Sequence, residues 1–135
     1  MMRAIITSLA GALVLITFGP TVSATDLKDQ VRVEAESVGL HPGLDPGLYV
    51  CAGNHLHIKA IVENLSEIPL GKVEVMAKAF GTGDLELGTT TAATKEPVLV
   101  PGGKAEVNLE FLTITGAMIE QVTGHELTVV SAPSL

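Results

Sequence analysis

Apolar and polar residues alternate with a period of two along most of the chain after residue 24. Such alternation predicts β-strands that bury one face and keep the other in water. The clearest runs cover residues 30–36, 55–62, 72–79 and 104–111. Weaker strand patterns cover residues 85–93, 97–100 and 126–130. The pattern therefore predicts about seven short strands. Residues 117–122 fit either a short helix or a further strand.

Turn-forming residues separate the predicted strands. Gly-Thr-Gly-Asp occupies residues 81–84, Pro-Gly-Gly occupies residues 101–103, and Gly116 and Gly124 bracket the ambiguous segment. Strands in series with a turn signal about every 10 residues, and no long amphipathic helix, are typical of a β-sandwich. We therefore expect an all-β, immunoglobulin-like antiparallel β-sandwich, and an all-β barrel is the alternative.

The first 24 residues differ from the rest of the chain. Arg3 precedes an apolar stretch at residues 4–18, Gly19-Pro20 breaks it, and Val22-Ser23-Ala24 offers small residues at a cleavage site. This pattern predicts a helical secretory signal peptide at residues 1–24 and one domain at residues 25–135. The alternative is a retained anchor, although roughly 15 apolar residues fall short of the ~20 that span a bilayer. We expect a periplasmic or secreted protein with no membrane span after cleavage.

Composition narrows the classes of partner. The chain carries a net charge of −7, and residues 25–135 hold seven basic against fifteen acidic side chains, hence −8 with His neutral. Tryptophan is absent, and there are one Tyr and three Phe. Nucleic-acid binding is not expected, because it requires a surplus of Lys and Arg and aromatic side chains for base stacking. The same shortage of aromatics predicts an aliphatic core.

One group of side chains could bind a metal ion. The segment Cys51-x-x-x-His55-x-His57 joins a soft thiolate to two imidazoles, which is a donor set for copper or zinc. Alternation turns both His outward and places Met76 on the opposite sheet, too far away to share an ion. The alternative is that both His are ordinary exposed residues of a polar strand face.

Cys51 is the single cysteine of the chain, so no internal disulfide can form. In an oxidising compartment an unpaired cysteine can bind metal, join a partner chain or pack as a small apolar side chain. We expect burial at the end of the sandwich, with an intermolecular disulfide as the second alternative.

Residues 39–48 contain a repeated unit, Leu-X-Pro-Gly, with leucines at Leu40, Leu44 and Leu48. Each Pro-Gly pair suits the central positions of a type II turn. The repeat therefore predicts a stiff loop that presents three leucines. It is either a rigid link over the open end of the sandwich or an interaction loop.

The sequence contains no known catalytic motif. None of its four His stands at a motif spacing from a nucleophile that it could activate, so we expect no enzyme activity.

Thr89, Thr90 and Thr91 form an uncharged, β-prone segment that is a candidate edge strand. We expect an exported module that acts by protein–protein contact, as an accessory or structural subunit or by self-association through strand addition. The alternative is a small periplasmic copper- or zinc-binding protein. No other cofactor is expected.

Residues 56–111 contain a series of short motifs. In order, they are Val-Glu-Asn at residues 62–64, the break at residues 66–69, Gly-Lys-Val-Glu-Val at residues 71–75 with Phe80, then Gly83, Leu85, and Leu-Val-Pro-Gly at residues 99–102 before the strand that ends at Phe111. In this order of motifs the segment resembles the FxLYD-type immunoglobulin-like domains and related CARDB-like sandwiches of secreted prokaryotic proteins. Ala79-Phe80-Gly81 stands where the family has its aromatic-Tyr-Asp element. The resemblance implies a non-catalytic extracytoplasmic accessory or adhesion-like module.

Overall fold

The computed structural model describes residues 25–135, which fold into two antiparallel β-sheets packed face to face. Its strands are β1 (Val31–Ala35), β2 (Leu48–Val50), β3 (His55–Asn64), β4 (Glu74–Phe80), β5 (Glu86–Ala93), β6 (Lys104–Thr115) and β7 (Gly124–Ser131). Short 3-10 segments occupy Lys28–Gln30, Thr82–Asp84 and Gly116–Gln121. The predicted all-β antiparallel sandwich is confirmed. The predicted signal peptide lies outside the described residues.

β3 is the centre of the four-stranded sheet. β6 pairs with it along one edge, while β1 pairs with its second half and β2 with its first half. The two short strands β1 and β2 therefore lie end to end along the other edge of β3, and residues 36–47 connect them. The second sheet has the order β5-β4-β7. Among residues 25–135, no helix has the length and apolar character needed to cross a membrane.

The core follows from strand alternation. Along β3 every second residue is fully buried, and the members of this set are Leu56, Ile58, Ala60 and Val62. Val107, Leu109 and Phe111 of β6 extend this buried face within the same sheet. Val75, Ala77 and Ala79 of β4 belong to the same core from the second sheet. The core is aliphatic as expected, with Phe111 as its one fully buried aromatic among the described residues.

Two strand assignments from the sequence were wrong. Residues 97–100 form no strand, and Leu99 makes only an isolated bridge to Leu70. Pro97 begins this segment and Pro101 follows it, and both lack the N–H group that a continued ladder requires. Leu48–Val50 is a strand that the prediction omitted, because three residues after a Pro-Gly turn are too few to show alternation.

Asn64 ends β3 as a fully buried polar residue. Its Nδ2 donates to the carbonyl oxygens of Ile68 and Leu99, at 2.9 and 3.0 Å. Its Oδ1 accepts from the backbone N–H and the hydroxyl of Ser66, at 2.9 and 2.7 Å. The side chain thus uses both its donors and its acceptor to hold two chain segments at one end of the sandwich, which is a structural role.

Candidate functional site

The outer face of the four-stranded sheet carries both histidines of the Cys/His segment. His55 and His57 lie at alternate positions of β3, and because Leu56 and Ile58 point into the core, the imidazoles point away from it. The side chain of His57 is nevertheless only 12% exposed and that of His55 29%. Neighbouring outward side chains therefore cover both rings, unlike the freely solvated His of the alternative prediction.

A tight turn returns Cys51 toward His55. The N–H of Cys51 donates to the carbonyl of His55, and the N–H of Asn54 donates to the carbonyl of Cys51. Asn54 has a φ of 65°, in the left-handed region that asparagine tolerates better than most residues. A Cβ added to Gly53 would lie 3.3 Å from the His55 ring and 3.6 Å from the Cys51 sulfur. Glycine at this position therefore leaves room for the thiol beside the imidazole.

Cys51 is half-buried and lies outside the core cluster. The expectation that it packs as a core residue was wrong, since the turn directs its sulfur toward the outer face. Its Sγ is 3.8 Å from Nδ1 of His55.

β6 supplies a third donor. His57 and Glu110 are directly paired in the β3–β6 register, and Glu110 is an outward position of β6. Its Oε2 is 3.1 Å from Nδ1 of His55 and 3.6 Å from Nε2 of His57. The donor atoms of Cys51, His55 and Glu110 all lie within 4.8 Å of one another. Sequence reasoning missed Glu110, and the signal that could have found it is the alternation that turns it outward.

The pairing of β3 with β6 changes at this point. Leu56 pairs with Phe111, but the preceding residue His55 pairs with Thr115, so residues 112–114 form an irregularity in β6. Bulges of this kind commonly redirect a side chain next to a functional site. Here the irregularity adjoins the Cys51 turn at the end of the strand pair.

His57 is held by a second group of outward side chains. Its ring stacks on that of Tyr49, with centroids 4.8 Å apart and 23° between the planes. Its Nδ1 is 2.7 Å from Oδ1 of Asn108, and Nδ2 of Asn108 donates to Oη of Tyr49 at 2.6 Å. Its Nε2 is buried without a hydrogen-bond partner. One nitrogen of His57 is thus fixed to the protein and the other remains available near Glu110.

The surroundings of Cys51 favour the thiolate. The N–H of His55 lowers the pKa of the Cys51 thiol from its ordinary value, and the His57 side chain and the N–H of Gly53 act in the same direction. Partial burial opposes this effect without reversing it. Because the thiolate is the form that binds metal, the turn prepares Cys51 for that chemistry.

The donor spacing fits a tetrahedral ion. Bonds of about 2.3 Å to sulfur and about 2.0–2.1 Å to nitrogen or oxygen place tetrahedral ligands about 3.3–3.6 Å apart. The separations here are 3.8 Å from sulfur to nitrogen, 3.1 Å from His55 to Glu110 and 3.6 Å from His57 to Glu110. The contacts of His55 with Cys51 and with Glu110 are within a few tenths of an ångström of this spacing, and the donor atoms of these three residues all lie within 4.8 Å of one another.

The three leucines of the Pro-Gly repeat do not form a common surface. Leu48 lies in β2 and is 2% exposed, Leu44 packs against the core, and Leu40 is 36% exposed. Leu48 faces inward because it is the first core position of β2. The repeat therefore differs from the predicted three-leucine surface, and the loop anchors itself to the sandwich through two of its leucines.

The other predicted residues lie on the second sheet. Thr89, Thr90 and Thr91 lie on β5, a terminal strand of the three-stranded sheet. Met76 is an outward residue of β4, on the opposite outer surface from the two histidines, as expected. Neither group contributes to the arrangement around Cys51.

Comparison of the sequence and the fold with models of known families, with characterised proteins and with solved structures gave no significant match. The resemblance to FxLYD-type and CARDB-like domains therefore stays a prediction, and the geometry of the site is the guide to function.

Proposed function

We propose that this protein is an exported, non-catalytic β-sandwich that binds one zinc or copper ion on the outer face of its four-stranded sheet. Cys51, His55 and Glu110 are the primary ligands, and His57 stands beside them. The observation that carries the proposal is the convergence of a thiol, an imidazole and a carboxylate within 4.8 Å, from a turn and two strands. Zinc and copper favour thiolate and imidazole donors, whereas magnesium and calcium favour oxygen donors.

The test is a titration of the purified protein with Zn²⁺ and, under reducing conditions, with Cu⁺, followed by calorimetry and by elemental analysis after dialysis. We expect one ion per chain, and a loss of uptake in Cys51→Ser, His55→Ala and Glu110→Gln. His125→Ala and Met76→Leu are the controls, because the first removes an imidazole and the second a sulfur from positions elsewhere on the sandwich. No uptake by the unaltered protein, or equal losses in the controls, would refute the proposal.

A second candidate function is contact with a partner or with a second copy of the chain through strand addition. The observation that favours it is the position of β5 at the end of its sheet, where the stretch from Thr89 to Ala93 contains no charged side chain. An uncharged edge strand can pair with another chain. We expect mild crosslinking to yield a dimer or longer species that Thr89→Lys with Thr91→Lys abolishes. A strictly monomeric protein without a co-purifying chain would contradict it.

A further inference from the structure

A hydrogen-bonded chain runs across three strands behind His57. Tyr49 of β2 is directly paired with His57 of β3, and Asn108 of β6 lies one diagonal step away on the same face. Asn108 donates from Nδ2 to Oη of Tyr49 and presents Oδ1 to Nδ1 of His57, at 2.6 and 2.7 Å. These three outward residues form the positioning group of the site.

The orientation of the Asn108 amide determines which nitrogen of His57 carries the proton. With Oδ1 of Asn108 facing His57, Nδ1 of His57 donates to it, because a carbonyl oxygen can only accept a hydrogen bond. A neutral imidazole has one N–H, and Nε2 is then left with a free lone pair. A half-turn of the ring would keep the stack on Tyr49 but would replace Nδ1 with a ring carbon, so the contact with Asn108 would be lost.

The free nitrogen of His57 lies beside one residue of the proposed metal site. Nε2 of His57 is buried, has no hydrogen-bond partner, and is 3.6 Å from the same Glu110 oxygen that contacts His55. A buried nitrogen without a partner is costly in a folded protein unless something binds it. In metal sites the second ring nitrogen of a ligating histidine commonly donates to a carbonyl or carboxylate, which fixes the tautomer and the ring orientation.

We propose that Tyr49 and Asn108 are positioning residues that hold His57 in its Nδ1–H tautomer and make Nε2 the fourth ligand of the ion. This inference rests on the proposed metal-binding function and deepens it, since it predicts a closed Cys-His-His-Glu site in place of an open three-ligand site. A closed four-ligand arrangement is typical of a site that stores or stabilises an ion, whereas catalytic zinc sites keep a position open for water.

The first experiment needs no metal. Long-range ¹H–¹⁵N correlation spectra of the ¹⁵N-labelled metal-free protein, recorded at alkaline pH, report which ring nitrogen of His57 carries a proton. We expect the Nδ1–H pattern in the unaltered protein and in Asn108→Asp, which keeps an acceptor oxygen. We expect a tautomer mixture in Asn108→Ala. A dominant Nε2–H pattern in the unaltered protein would overturn the inference.

The second experiment measures affinity with Zn²⁺ and with Co²⁺ as its spectroscopic substitute. Loss of a positioning partner typically weakens metal binding about 10–100-fold, and we expect Asn108→Ala to fall in that range with an altered Co²⁺ spectrum. Glu106→Ala is the matched control, because Glu106 lies on the same face of β6 and contacts Lys59 at 3.9 Å. It should leave both affinity and spectrum unchanged.

The outcomes separate the two proposals. If the unaltered protein takes up no ion, the proposed function fails, and the ligand role of His57 fails with it, whatever the tautomer. If it takes up an ion but His57→Ala or Asn108→Ala binds it with unchanged affinity, the metal-binding function stands and only the inference about His57, Tyr49 and Asn108 is overturned.

Discussion

At the residue scale, the character of Cys51 is set by the backbone of its own turn. The N–H groups of His55 and Gly53 lie toward the sulfur, and the His57 side chain adds to their effect. Oriented N–H groups stabilise an anion in the same way as in other backbone anion sites. A cysteine whose sequence context suggests a small core residue is thereby turned into a half-exposed group that favours its thiolate.

This arrangement predicts that the thiol of Cys51 has a lowered pKa in the metal-free protein. We expect the rate of alkylation by iodoacetamide to rise with a midpoint below the ordinary 9.0, because the folded protein lowers the pKa of the thiol. The urea-unfolded chain is the control, and its midpoint should return to the ordinary value. By linkage, thiolate formation stabilises the fold above pH 9.0, and this contribution is lost as the pH falls through the folded-state pKa. A folded midpoint at or above the unfolded one would contradict the prediction.

The separation in sequence of the ligands decides how much of the site could be predicted. Cys51, His55 and His57 lie within seven residues, so spacing and strand alternation identify them as a group. Glu110 reaches them only through the pairing of β3 with β6. One sequence contains no signal for that register, and one outward glutamate among fifteen acidic residues gives no reason to single it out.

At the element scale, the local pattern was informative where strands are long and two-sided. The alternation at residues 55–62 predicted β3 with its buried face, since a central strand between two partners must repeat its apolar face at every second position. The short β2 has no such pattern. It becomes a strand because β3 offers an unpaired edge beyond the end of β1, which is a tertiary effect.

The Pro-Gly repeat offers a comparison between two glycines of the same motif. Gly43 and Gly47 have φ values of +83° and +87°, so alanine is strained at both. A Cβ at Gly43 meets nothing within 4 Å, whereas at Gly47 it would lie 2.9 Å from the carbonyl oxygen of Glu36. Gly47 also accepts from Lys59 and is thus tied to β3. The second glycine therefore carries a packing constraint that the first does not.

We expect Gly43→Ala to lower the free energy of unfolding by about 1–2 kcal/mol, which is the cost of a left-handed residue with a side chain. Gly47→Ala should lower the free energy of unfolding by about 1–3 kcal/mol more than Gly43→Ala does, because the backbone of Glu36 must move. Urea denaturation measures both. Gly39→Ala is the control, since its Cβ meets nothing and its φ is not positive. Equal losses at Gly43 and Gly47 would show that the contact with Glu36 is relieved without cost.

At the scale of the whole molecule, the net negative charge favours the binding of a cation at the proposed site. Residues 25–135 carry a net charge of −8 with His neutral. The field of an acidic protein raises the local concentration of cations and speeds their association. A bound divalent ion would also offset the negative charge of Glu110 and the Cys51 thiolate, which otherwise repel each other on the same face.

Because the proposed ligands come from the 51–55 turn and from two paired strands, an ion should bind the folded chain much better than the unfolded one. At a free Zn²⁺ concentration of 100 times Kd, this linkage stabilises the fold by about 2.7 kcal/mol. For a domain of this size that corresponds to a rise in Tm of about 10 °C, measured by calorimetry with and without Zn²⁺. Cys51→Ser should unfold at the same temperature with and without the ion, and Met76→Leu should respond as the unaltered protein does. An unchanged or lowered Tm in the unaltered protein, at a Zn²⁺ concentration where uptake is complete, would mean that binding of the ion does not require the folded chain. The convergence of Cys51, His55 and Glu110 would then not be the binding site.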